Sequence, residues 1–356
     1  MELNNMNISN KVINSPNYKT PLKCIQRNPW ADNIRYFLII LVIIGHLGIP
    51  LEGRYWYWHY FRNVISVFHM PAFLIITGMY AQKGIKQHDI KKVSKRILVP
   101  YIICNFIMFL IFEALGIEKV SGIIQDHYFH VLQPYYALWY LLALFVYYCV
   151  CMYINNKKLL VLTAVVLALI CGYGYPIKFM WLSKITPFFI YFLLGTLVDV
   201  EKIRTLLKKN ICRVISIFLF YILFFTCYKY NDVLQTGLFS MEIQYSDYET
   251  LHITPWVIRA LVIFCGCIYS LAFFSLVPSN YHFFTKAGQY TIYPFCFQTF
   301  CMPIMFYVVS RATIYKIDNI FKCMITCIGC ILFVHICSSK YFRKYTNFLI
   351  EPFKGA

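Results

Sequence analysis

Ten apolar stretches of about 17 to 25 residues recur along this 356-residue chain, near 29–51, 62–82, 97–115, 135–154, 159–176, 184–200, 211–230, 253–277, 290–310 and 319–338. A hydrocarbon core about 30 Å thick takes roughly 20 helical residues to cross, and a segment inside it must satisfy its own backbone polar groups. With 60% hydrophobic and only 13% charged residues, the chain is excluded as a soluble globular domain. The reading is an all-α integral membrane protein, a polytopic bundle of about ten transmembrane helices. An even number of spans puts both termini on the same side.

A net charge of +18 would point to nucleic acid in a soluble protein. Here 23 of the 33 Lys and Arg residues fall in the N-terminal segment, in alternate connections (83–96, 157–158, 202–213 and 286) and in the tail. The opposite connections take Glu118, Asp126, Asp232, Glu242, Asp247 and Glu249. The positive-inside rule accounts for this pattern without nucleic acid and makes the basic side, with both termini, cytoplasmic. Residues 1–28 are polar, without an apolar core and small-residue cleavage site, and read as a cytoplasmic arm. Residues 29–338 then form one membrane domain and 339–356 a cytoplasmic tail. Most of the fifteen cysteines lie inside apolar spans, where they act as small hydrophobes, so no disulfide framework is expected.

Arg35 and His46 are eleven residues apart in the first span, with an almost wholly apolar run between them. Eleven steps of about 100° return to within about 20° of the starting face, and ~1.5 Å of rise per residue separates the two by about 16 Å. Ionisable groups inside a bilayer are costly and mark functional paths when they share one stripe. The start of this helix is legible: Asn28 is a good cap, Pro29 suits the first helical position, and Asp32 lies where the helix dipole favours an acid.

In the second span, Phe68-His69-Met70-Pro71-Ala72-Phe73 precedes Thr77-Gly78. Pro71 releases a backbone carbonyl in mid-membrane, which requires protein or water around it. His69 falls at a depth similar to that of His46, so the two imidazoles flank one site or serve as separate structural residues. The connection Lys83–Arg96 carries six cations and leads into Leu98-Val99-Pro100-Tyr101. Its lysines and arginine either anchor topology or let Lys92, Lys95 and Arg96 bind a polyphosphate. Cys323, Cys327 and Cys330 have cluster-like spacing but sit within an apolar run. Without a phosphate loop, a dinucleotide fingerprint, a nucleophile elbow or a His-Glu-x-x-His sequence, no metal or bound cofactor is expected.

At these residues the chain resembles membrane-bound acyltransferase family 3, particularly its fucose 4-O-acetylase and capsular-polysaccharide O-acetyltransferase branch. Arg35 and His46 match an Arg-x10-His pattern, Phe68 to Gly78 a Phe-His-Met-Pro-x-Phe-x(3)-Ser-Gly pattern, and Lys92 to Tyr101 a basic stretch entering Leu-x-Pro-Tyr. Looser similarity covers Leu138-Trp139-Tyr140-Leu141, Pro187-Phe188-Phe189 with Gly195, and Gly288 to Gln298. Thr77 stands where Ser is usual, Lys92 and Lys95 where an Arg pair is common, and Gln298 where many members carry His.

The resemblance implies transfer of an acetyl group from cytoplasmic acetyl-CoA to a sugar hydroxyl of a lipid-linked or exported glycan, in a bacterial inner (plasma) membrane. Arg35, Lys92, Lys95 and Arg96 would hold the CoA phosphates, with acetyl-CoA a substrate and no cofactor permanently bound. His46 would act as general base or acyl carrier. His69 would orient the acceptor, polarise the thioester or shape the kink, and Asp32, Pro71, Thr77 and Trp139 would support the site. Membrane lipids and glycan-assembly machinery are the expected partners. The rival readings are a saccharide or metabolite transporter using the histidines as a proton relay, and a non-catalytic subunit of a glycan-assembly complex.

Overall fold

A computed structural model describes residues 28–47, 56–116, 119–120, 123–124, 128–173, 181–231, 234, 236–241, 244–246, 254–311 and 320–353. The N-terminal arm and the six acids expected on the outer side lie outside these residues. Helix α1 (Pro29–Leu47) begins as the sequence predicts: the Trp30 N–H donates to Asn28 Oδ1 at 3.1 Å, and Asp32 sits in the first turn. Ile34, Leu38, Ile39, Val42 and Ile43 are buried, so α1 runs through the interior of the bundle.

Helix α2 (Trp56–Gln87) has 32 residues and carries Pro71 in its interior. A short turn, Ile90–Val93, follows, its Lys92 N–H capped by Asp89 Oδ1 at 2.9 Å. Pro100 has no N–H to give the Arg96 carbonyl, and just before it the hydrogen-bond ladder widens into a π-helical turn over Ser94–Leu98, which the Val99 N–H closes onto Ser94 O. Helix α3 (Val99–Leu115) continues from it, so the basic turn is joined rigidly to a long apolar helix. The connection that follows holds a two-residue antiparallel pairing, Lys119 opposite Ile124 and Val120 opposite Ile123.

Helices α4 (Trp139–Tyr153), α5 (Lys157–Ile170) and α6 (Leu182–Leu197) follow, and α7 (Val200–Leu207) turns 93° away from α6. Beyond them lie α8 (Asn210–Lys229), α9 (Pro255–Leu276), α10 (Ile292–Arg311) and α11 (Ile320–Ser338), and α12 (Lys340–Ile350) is bent 73° from α11. Apart from the two-residue pairing, the described fold is helical. Helix α2 is largely buried, packed between α1, α6 and α9, whereas α8 exposes Ile217, Phe218 and Tyr221 by 61–66%. Large apolar side chains this exposed suit contact with lipid rather than water. The protein is therefore a multi-pass membrane protein with α2 near its centre.

All ten predicted stretches contain helix. Among the described residues, five helices are long and apolar enough to cross a membrane, and up to seven do so if each bent pair is one span. Helix α5 has 14 residues, about 21 Å, which is short of a hydrocarbon core about 30 Å thick. Within the stretch 339–356, Lys340–Ile350 form helix α12, packed against α3, α10 and α11.

Helices α2 and α6 meet at backbone distance where Gly78 faces Gly195: a Cβ on Gly78 would run into the Phe192 carbonyl oxygen, and one on Gly195 into that of Ile75. Small residues at such a crossing let two helices approach until dispersion between their backbones holds them. Gly195→Val should lower the thermal unfolding midpoint of the purified protein, at a cost of about 1–3 kcal/mol from overpacking. Gly329→Ala, with open space around its Cα, should leave the midpoint unchanged or raise it.

Candidate active site

A cavity of about 1200 Å³ is enclosed by α1, α2, the turn Asp89–Leu98, α4, the start of α10 and the residues after α12. Its α2 wall runs from Met70 to Gln87, about 25 Å at helical rise. One end is cationic, lined by Arg35, Lys83, Lys91, Lys92, Lys95 and Arg96. The other narrows onto apolar Ile39, Val42, Met70 and Phe73. All four residues predicted to hold phosphates thus lie on one cavity wall system, although they come from α1 and from a turn some sixty residues later.

Each cation is held differently. Arg35 Nη1 lies 3.2 Å from Asp32 Oδ1, and its guanidinium carbon is 5.1 Å from the centre of the Tyr80 ring. Asp32 is only 1% exposed, so it fixes the direction of Arg35 more than it shares its own charge with water. The neighbouring Asn33 is buried with its amide donating to the carbonyls of Pro278 (2.8 Å) and Asn280 (2.9 Å), while Oδ1 accepts from Thr285 Oγ1 at 2.6 Å. These bonds seat the short helix Thr285–Gly288 against α1 so closely that a Cβ on Gly288 would collide with the Asp32 carbonyl. Lys95 lies 5.0 Å from the Phe353 ring centre, and Glu351 and Phe353 both line the cavity, so the chain beyond α12 folds back over the cationic end.

His46 and His69 stand beyond the apolar end. Val42, one turn below His46, and Met70, next to His69, are wall residues. His69 Nδ1 is 2.8 Å from the Ile65 carbonyl, which can only accept, so Nδ1 carries the proton and Nε2 of the neutral ring keeps a lone pair. His46 Nδ1 faces Gln298 Oε1 at 3.4 Å, which orients the ring in the same sense.

The residues expected to support the site are spread along the cavity and its surroundings. Pro71 leaves the Val67 carbonyl without its helical donor. One residue on, Ser270 Oγ of α9 reaches the Phe68 carbonyl at 3.4 Å. Thr77 Oγ1 and Tyr140 Oη are 3.1 Å apart, so Thr77 keeps the hydroxyl that Ser would supply. Trp139 packs on Phe188 and against Lys184 rather than lining the cavity.

Several site residues escape the sequence reading. Gln298, treated there as the loss of a histidine, is the side chain that meets His46, buried at 2% exposure. Tyr80, Glu351 and Phe353 lie in no motif that would single them out.

The family model described as an acyltransferase domain matches residues 28–340, nearly nine-tenths of the chain. The chain belongs to acyltransferase family 3. No curated protein and no solved structure matches it. The cavity gathers cations at one end and has an apolar lining toward the level of the two imidazoles.

Gln298→Met keeps the volume but removes the acceptor for His46 Nδ1. Turnover of the acyl donor should fall by about tenfold or more, part of what a positioned base supplies, with the donor KM unchanged. Gln298→Glu, which keeps an acceptor, should retain more activity than the Met variant. Steady-state kinetics on both variants check this.

Proposed function

We propose that this acyltransferase moves an acetyl group from cytoplasmic acetyl-CoA to a sugar hydroxyl of a lipid-linked or exported cell-envelope polysaccharide, in the manner of the fucose and capsular O-acetyltransferase branch. The observation that carries this reading is the polarity of the cavity, cationic at one end and apolar as far as the imidazoles. Arg35, Lys92, Lys95 and Arg96 hold the donor phosphates through charge-assisted hydrogen bonds. The donor's arm lies along α2, which brings the thioester to the level of Val42 and Met70.

There the Nε2 of an imidazole removes the proton of the sugar hydroxyl as its oxygen attacks the thioester carbonyl. The new C–O bond forms, the C–S bond breaks, and the departing thiolate takes the proton back from the imidazolium. His46 is the base in this reading, and His69, its ring set by Ile65, orients the acceptor or polarises the carbonyl. Arg35 lies eleven residues along an unbroken helix from His46, beyond hydrogen-bond reach, so it acts on the donor and not on the base. With the cationic end facing the cytoplasm, the termini lie inside and the acceptor meets the imidazoles from the outer half of a bacterial plasma membrane. Membrane lipids and the glycan-assembly machinery are the neighbours this placement requires.

His46→Ala should leave the protein folded and reduce acetyl transfer by at least about a hundredfold, because general bases contribute on that scale. Mass spectrometry of surface glycan from matched cells tests it: loss of one acetyl group per modified sugar is expected in the variant, and retained acetylation overturns the assignment. Unchanged acetylation with an altered amount of exported glycan points to transport instead. Arg35→Ala should raise the donor KM about tenfold or more with little change in kcat, as expected for a lost charged hydrogen bond.

A further inference from the structure

We propose that Phe353 is the platform on which the purine base of the acyl donor stacks. The cationic end of the cavity then recognises a nucleotide and takes its thioester from CoA itself rather than from a carrier protein, whose pantetheine arm carries no base. This inference rests on the acyl-transfer reading and names the residue by which the site chooses between those two donors.

The ring is delivered by a segment beyond the family match, which ends at residue 340. Helix α12 is pinned to two tyrosines around the start of α10. The Arg343 guanidinium carbon lies 3.4 Å from the centre of the Tyr290 ring, and the Tyr293 hydroxyl donates to Glu351 Oε2 at 2.7 Å. Ile350, between the two pins in sequence, is fully buried. Two residues past the second pin, Phe353 joins the cavity lining, so its place there is set by packing and not by a free chain end.

The surroundings of the ring suit a base joined to phosphates. The Lys95 ammonium lies over one face of Phe353, 5.0 Å from its centre, and Lys92 and Arg96 from the same basic turn line the same end. Phe353 nevertheless keeps 45% of its surface exposed, forgoing burial that a phenyl ring ordinarily gains on folding. A purine brings a flat π-surface to such a ring, and aromatic side chains bind bases by stacking without base-specific hydrogen bonds. In CoA a single ribose joins the adenine to the 3′-phosphate and the diphosphate. Phosphates held by Lys92, Lys95 and Arg96 therefore leave the base within reach of the ring that touches Lys95.

The order of groups along the cavity agrees. Base and thioester are opposite ends of the donor, and the α2 wall runs from Met70, beside His69, to Gln87. Tyr80, whose ring centre is 5.1 Å from the Arg35 guanidinium carbon, lies ten residues along α2 from Met70, about 15 Å at helical rise. That ring stands on the path of the arm. Phe353 stands beside Lys95, in the turn that follows Gln87, and is placed for the outermost group.

The test is isothermal titration of the purified full-length protein with CoA, adenosine 3′,5′-bisphosphate and 4′-phosphopantetheine. The intact protein should bind CoA more tightly than 4′-phosphopantetheine. Phe353→Leu, which keeps an apolar side chain but removes the flat ring, should weaken CoA and adenosine 3′,5′-bisphosphate about fivefold or more and leave 4′-phosphopantetheine unchanged. Phe353→Trp should keep the affinity for both nucleotides. Thermal unfolding confirms that each variant is folded, with Phe353→Met replacing Leu if that variant is not. A loss that extends equally to 4′-phosphopantetheine would make the ring a support for Lys95 and overturn the platform. Nucleotide binding indifferent to Phe353→Leu, or equal affinity of the intact protein for CoA and 4′-phosphopantetheine, also overturns it. Phe353-dependent nucleotide binding by a protein that acetylates no saccharide would leave the platform standing and overturn the transfer reading. Glycan acetylation with nucleotide binding indifferent to Phe353 would do the reverse, and an intact protein that binds no CoA would overturn both.

Discussion

A polar side chain placed inside an apolar bundle must be paired there, and Asn33 is the residue through which this constraint organises the site. Its amide and carbonyl are all engaged, by the backbone at Pro278 and Asn280 and by the Thr285 hydroxyl. Leaving any of these groups unpaired would cost about 1–3 kcal/mol, so α1 and the connection after α9 dock in one register. That register seats Thr285–Gly288 on the Asp32 carbonyl and leads directly into α10, whose Gln298 then reaches His46. The cationic end of the cavity and the contact between Gln298 and His46 are therefore aligned by the same few hydrogen bonds, even though Asp32 and His46 are fourteen residues apart along α1.

Asn33 was not legible in the sequence, since an Asn beside Asp32 and Arg35 reads as one more polar residue in a first turn. What was legible followed from local rules. The cap at Asn28, the proline after it and the acid in the first turn locate the start of α1, and an eleven-residue spacing places Arg35 and His46 on one face whatever the tertiary structure does. The placement of Lys92, Lys95 and Arg96 opposite Arg35 was accessible through the family pattern alone, because it depends on how α2 and α3 pack around a π-helical turn. The contact of Gln298 with His46 depends wholly on packing between helices that are distant in sequence.

Hydropathy finds apolar helix, and every predicted stretch holds some; where a helix bends or ends depends on packing that hydropathy does not carry. The α6–α7 and α11–α12 pairs each turn sharply at a break of a few residues, and α5 is short. The C-terminal helix illustrates the physical reason. Its composition is mildly polar overall, so it reads as tail, yet Ile350 is buried while Tyr341, Tyr345 and Phe348 are exposed. A two-faced helix of this kind lies along an interface, and here its end carries Glu351 and Phe353 onto the cavity.

The length of the cavity follows from the chemistry at its two ends. Phosphate recognition needs concentrated positive charge, which in a low-dielectric interior would oppose protonation of a nearby imidazole. Arg35 lies about 16 Å along α1 from His46 at helical rise, which weakens that opposition, and the cavity wall on the way is apolar Ile39 and Val42. An arrangement that gathers the cations at one stretch of the cavity and leaves the wall toward the imidazoles apolar separates charge recognition from proton transfer, the division that the proposed acyl transfer requires.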